Sequence, residues 1–224
     1  MRTLAEPTIL KSAVCATGLM AFACYPRLAT AVELRYPVWY LEALLFLGGI
    51  VLWAFTFAWY PKYTSRPLFT LRAGWRLWTL ATIAGIGGAV LLHYLIDPAL
   101  QAATPSEFPP TLLDWVARVL FSLTFTQLLL IFSPFAWLLR LFQRTKPAVV
   151  LTVFFGLAVL AVKNHRGPPM PVGLLKGLII FRVTASWLLT FLFLRGGVAP
   201  VWWCNLILQS RHLFELSVGL EHEN

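Results

Sequence analysis

Long apolar runs, separated by short stretches rich in basic residues, proline or glycine, divide the chain almost from end to end. They cover Ser12–Tyr25, Val38–Tyr60, Leu77–Ile96, Asp114–Leu139, Ala148–Val162, Val172–Leu194 and Ala199–Leu220. Crossing a bilayer takes about 20 mainly apolar residues in a helix. Most of the runs reach that length, and the first and fifth are short. All are continuously apolar, whereas the strands of a transmembrane β-barrel alternate, so a barrel is excluded. The pattern therefore predicts one all-α domain over residues 1–224, a polytopic transmembrane bundle of about six or seven helices. The run Asp114–Leu139 stands at its centre, with the polar pair Thr126 and Gln127 flanked on both sides by hydrocarbon.

The connections set the expected topology. The stretch 61–76 holds four basic residues (Lys62, Arg66, Arg72, Arg76), and two prolines there predict an irregular loop on the cytoplasmic surface. The stretch 140–147 holds three (Arg140, Arg144, Lys146). The stretch 97–111 has none, carries two acids, and has prolines at 98, 105, 109 and 110, which predicts an external loop. Lys163 and Arg166 in the loop 163–171 run against this alternation. Pro134 predicts a kink in the fourth helix. Arg195-Gly196-Gly197 predicts a tight turn, and the tail Glu221-His222-Glu223 suits the outside.

Composition narrows the class. Of 224 residues only 12% are charged and 59% are hydrophobic, against roughly a quarter charged in soluble domains. The net charge of +9 is gathered in short loops, the positive-inside pattern, and no basic face for nucleic acid is present. Cys15, Cys24 and Cys204 lie inside apolar runs without metal or redox spacing, as small core residues do. The start of the chain lacks a small-x-small site, so a first membrane helix is expected there over a cleaved signal peptide.

A few polar side chains sit within the spans. Glu42, one turn into the second helix, reads as a snorkelling acid or an intramembrane carboxylate. His93 reads as an interfacial hydrogen-bonding residue or a ligand to a pigment or metal, and His212 is a second possible ligand-binding position. Arg182 lies deep enough in the sixth span to need a partner inside the bundle, with Gln127, Asn205, Gln209 or a carbonyl freed by Pro134 as candidates. Asn205, Gln209 and His212 recur at helical spacing on one face.

From about Val119 to Leu213 the order of features resembles the CAAX-protease and bacteriocin-processing family of intramembrane enzymes, also called Abi or CPBP proteins. That family carries Glu-Glu-x-x-x-Arg in one span, Phe-x-x-x-His in the next, and His-x-x-x-Asn after a turn of the type Arg-Thr-Gly-Ser-Leu-Trp-Pro. The segment FLRGGVAPVWWCNLILQ at 193–209 is similar to that last turn and helix. On this alignment Asn205 falls where the family has His, and Gln209 where it has Asn. Thr126-Gln127 fall on the glutamate pair, Ile131 on the arginine, and Phe155-x-x-x-Val159 on the second motif. The resemblance implies a fold of that kind with its catalytic groups replaced, because amides and aliphatics cannot take a proton from water.

The expected function is thus a non-catalytic polytopic membrane protein, acting as a structural or assembly subunit of a membrane complex. Gln127, Asn205 and Gln209 are expected to face one another as polar glue. Two other readings stand beside it. One is an active peptidase using Glu42, Glu215 or His212 in a departed arrangement. The other is a lipid-, quinone- or pigment-binding subunit using His93 or His212. The expected partners are the lipid bilayer and other membrane proteins, and the expected location is a bacterial inner membrane. No metal site and no particular cofactor are indicated.

Overall fold

The computed structural model describes residues 4, 6–30, 36–105, 108–166, 171–213 and 216. Glu33, Arg35, Glu215 and the tail from 217 lie outside the described residues, as do the side chains of Lys163 and Arg166. The described chain is helical, with no strand: α1 Pro7–Ala29, α2 Val38–Thr64, α3 Trp75–Ala103, α4 Leu112–Phe142, α5 Thr145–Arg166, α6 Val172–Gly196 and α7 Val198–Gln209. The helices α1 to α4, α6 and the Thr145–Val162 part of α5 are long and apolar enough to cross a membrane. The chain is a polytopic transmembrane helix bundle.

Prolines explain most of the displaced boundaries. Pro7 stands in the first turn of α1, where a missing N–H costs nothing, and the helix runs 23 residues, well past the expected span in both directions. In α3 the expected external loop from residue 97 is helix as far as Ala103. The turn Leu92–Ile96 is π-helical, and this wider register accommodates Pro98 without ending the rod. In α4 two π-helical stretches, Ser122–Thr126 and Leu128–Phe132, precede Pro134 in the same way.

Of the expected last span, Ala199–Leu220, residues 214, 215 and 217–220 lie outside the described residues. In its described part helix α7 covers Val198–Gln209, and residues 211–213 are again helical. The helix α7 ends at Ser210, whose hydroxyl donates to the Ile207 carbonyl at 2.7 Å.

The bundle is assembled on α4. Its first half packs on α1, its second half on α2 and α5, and its central π-helical turns meet α6 and α7, while α3 lies against α7. Lipid tails are as apolar as the side chains they would replace, so close packing has to hold such a bundle together. The tightest packing is a run of fully buried rings. Phe193 lies 4.5 Å from Tyr60, 4.6 Å from Phe132 and 5.8 Å from Phe135 between centroids. The Tyr60 hydroxyl, enclosed with them, donates to the Phe193 carbonyl at 2.7 Å.

The loop 65–74 does more than lie on the surface. Leu68 is buried and its carbonyl accepts from the Val198 N–H at 3.0 Å, while the Arg66 guanidinium donates to the Arg195 carbonyl. Gly197 makes this docking possible. Its φ of +72° is a glycine conformation, and a Cβ there would stand 2.2 Å from the Leu68 carbonyl oxygen.

Candidate functional site: a lateral groove between α3, α6 and α7

An apolar groove of about 720 Å³ opens between α3, α6 and α7. Gly87, Gly88 and Leu91 line one wall, Gly173, Gly177 and Ile180 the other, and Asn205 and Leu208 contribute from α7. Its glycines are of two kinds. A Cβ on Gly88 would come within 2.8 Å of Leu208, so Gly88 serves the close approach of α3 to α7. Gly87, Gly173 and Gly177 face open space, where an added Cβ would meet nothing within 4 Å. Glycine in a helix interior costs about 0.8–1 kcal/mol relative to alanine, and among the described residues no contact requires it at Gly87 or Gly177, while Gly173 stands in the first turn of α6. Gly173 and Gly177 also stand four apart, the small-xxx-small spacing at which transmembrane helices approach closely.

The polar residues expected at the centre are placed differently from one another. Asn205, 3% exposed, lies on the groove and donates from Nδ2 to Ser122 Oγ of α4 at 2.9 Å. Its Oδ1 accepts no hydrogen bond among the described residues. Gln127 is buried in α4 with its Oε1 enclosed and unpartnered. Gln209 is half-buried, and its link to α4 is through its backbone carbonyl, which accepts from Trp115 Nε1 at 2.9 Å. Thus α4 and α7 do meet through polar groups, but the three amides do not form one network. The partner of Asn205 is a serine that the spacing argument overlooked. Thr126 is half-buried at the end of the first π-helical turn of α4.

Arg182 is also resolved differently. It lies half-buried on α6 against α5, where an added Cβ on Gly156 would stand 3.6 Å from its Nε. Its Nε is enclosed without a hydrogen bond, and none of the amides expected as partners reaches it.

His93 stands in the π-helical turn of α3, edge-on to Tyr94 at 4.9 Å. His212 is buried just beyond α7, edge-on to Phe108 at 5.5 Å. Between them, at the same end of the bundle, is a buried ion pair that sequence reasoning missed. Arg211 Nε donates to Asp97 Oδ2 at 2.7 Å, joining the end of α3 to the residues after α7. Asp97 was expected in an external loop, and Arg211 lay within the expected last span without being singled out. Glu42 lies on α2 with Oε2 enclosed and unpartnered. No group of three or more His, Cys, Asp and Glu side chains that could hold a metal occurs among the described residues.

No family profile, no curated protein and no solved structure matches this chain.

Proposed function

We propose that the chain is a non-catalytic subunit of a membrane complex, and that its α3/α6/α7 groove seats a transmembrane helix of a partner protein. The observation that carries this reading is the set of open glycines Gly87, Gly173 and Gly177, which leave backbone exposed on both walls of the groove. A partner helix gains most from such a surface, because helix association in lipid depends on close van der Waals approach. Among the described residues the groove lining is apolar apart from Thr184, Cys204 and Asn205, as a surface for a helix in lipid would be. The likeness to the CAAX-protease family belongs to the same proposal. It is supported by the turn at Arg195-Gly196-Gly197 and by the packing of α7 on the centre of α4.

A photoreactive residue at Ile180 or Leu91, both exposed on the groove, tests the proposal in native membranes. One discrete protein adduct is expected, and Gly177→Leu should abolish it and release the co-purifying protein while the chain stays folded. Adducts with lipid alone, or an adduct indifferent to Gly177→Leu, would overturn the helix assignment.

One observation favours a second occupant, an apolar small molecule such as a quinone or pigment. The groove's volume lies within the range of about 300–1,000 Å³ usual for ligand pockets, and Asn205 and Thr184 offer it polar points. A bound chromophore in the absorption spectrum of the purified protein would favour this reading.

A further inference from the structure

We propose that the end of the bundle formed by the loop 65–74 carries a binding site for the phosphate headgroup of an anionic phospholipid, built from Arg66, Arg76 and Arg195. This site is separate from the lateral groove and does not depend on its occupant.

A pocket of about 500 Å³ lies between that loop, the first turns of α3 and the last turn of α6. Three guanidinium groups line it, together with Trp75, Leu80 and Phe191. Their contacts orient them without neutralising them. Arg66 donates to the Arg195 carbonyl, Arg76 lies over the Trp75 ring at 5.8 Å, and Arg195 lies over the Phe191 ring at 5.6 Å. None of the three has a carboxylate within ion-pair distance among the described residues. Three like charges held around one hollow repel each other, and an anion placed among them relieves that repulsion. Arginine suits this task because its planar fork meets phosphate oxygens two at a time. The start of α3 adds to the field: Gly74 precedes it with no side-chain cap, so its first-turn N–H groups favour a negative neighbour.

The rest of the lining selects a lipid over a soluble phosphate. Leu77, Leu80 and Phe191 extend the pocket along the apolar sides of α3 and α6, where an acyl chain would continue from the headgroup. Trp75, 72% exposed, sits where an indole is commonly found, at the junction of hydrocarbon and headgroups. Basic pockets between spanning helices bind anionic headgroups for the same reasons.

The test measures lipid retained by the purified full-length protein, using native mass spectrometry from a zwitterionic detergent. Phosphatidylglycerol should be retained and phosphatidylcholine should not. Each of Arg66→Gln, Arg76→Gln and Arg195→Gln should weaken retention about fivefold, which corresponds to about 1 kcal/mol per basic residue near a charged surface. Arg72→Gln and Arg140→Gln remove basic residues that do not line the pocket, and should leave retention unchanged. Arg76→Gln is the decisive variant, because its guanidinium lies over the neighbouring Trp75 ring and, unlike that of Arg66, does not tie the loop to α6. Equal losses from all five variants would mean a diffuse charge effect and would overturn the site. So would equal retention of the two lipids. Inorganic phosphate that binds with the same arginine dependence, without selective lipid retention, would overturn the lipid assignment in favour of a soluble phosphate ligand.

Discussion

Removing Arg211 should destabilise the protein more than neutralising Asp97, although the two are halves of one ion pair. Asp97 is 2% exposed and Arg211 12%, with the closest approach 2.7 Å from Nε to Oδ2 and a longer one of 3.5 Å from Nη2 to Oδ1. Arg211 has a second bond, from Nη1 to the Leu208 carbonyl at 2.9 Å. In Arg211→Met the Asp97 carboxylate stays enclosed and loses its cation, the one-sided break that typically costs about 3–5 kcal/mol. In Asp97→Asn the side chain keeps an oxygen for Nε, and Arg211 keeps Leu208 and some access to water. Only charge assistance is lost, about 1–2 kcal/mol. The expected gap between the two variants is therefore about 2 kcal/mol. The double variant should cost less than the sum, because no charge is left stranded. Unfolding in mixed micelles, followed by circular dichroism on all four proteins, measures each term. Equal single costs, or an additive double variant, would refute the reasoning.

Three further outcomes are expected. Gly197→Ala should lower thermal stability by at least about 1–3 kcal/mol from backbone strain alone, since its φ is +72° and Leu68 blocks the added methyl; an unchanged melting temperature in detergent would count against the docked loop. Gln127→Leu should be neutral or stabilising by up to about 1 kcal/mol, because it removes an enclosed oxygen without a partner, whereas Asn205→Leu should cost about 1 kcal/mol by stranding Ser122; a micelle unfolding titration that ranks them the other way would sink this assignment. Cysteines introduced at Ala102 and Thr145, both exposed at helix ends, should react with an impermeant reagent from opposite sides of the membrane; labelling from one side only would contradict the topology.

What the sequence made legible, and what it did not, follows from the range of the interactions involved. Hydrocarbon length acts over a whole helix, so the six spans and the central place of Asp114–Leu139 could be read from runs of apolar residues. Helix ends depend on single hydrogen bonds. Pro98 read as a stop because it removes a donor, yet one π-helical turn absorbs the loss and α3 continues to Ala103. The polar interior is harder still, since helical spacing names the residues on one face but not the partners across it. Asn205 was recognisable as an interior amide, while Ser122 was not singled out, because a serine within a long apolar run is ordinary in a membrane helix. Asp97 and Arg211 were hidden in another way: Asp97 read as part of an external loop, and the longer α3 carries it inward to Arg211, just beyond α7. The open glycines form the opposite case. Gly173 and Gly177 can be seen in the sequence, but their meaning requires knowing that none of the described residues covers them. A glycine held in a helix interior at a cost, with nothing of its own bundle to admit, is best explained by something that approaches from outside.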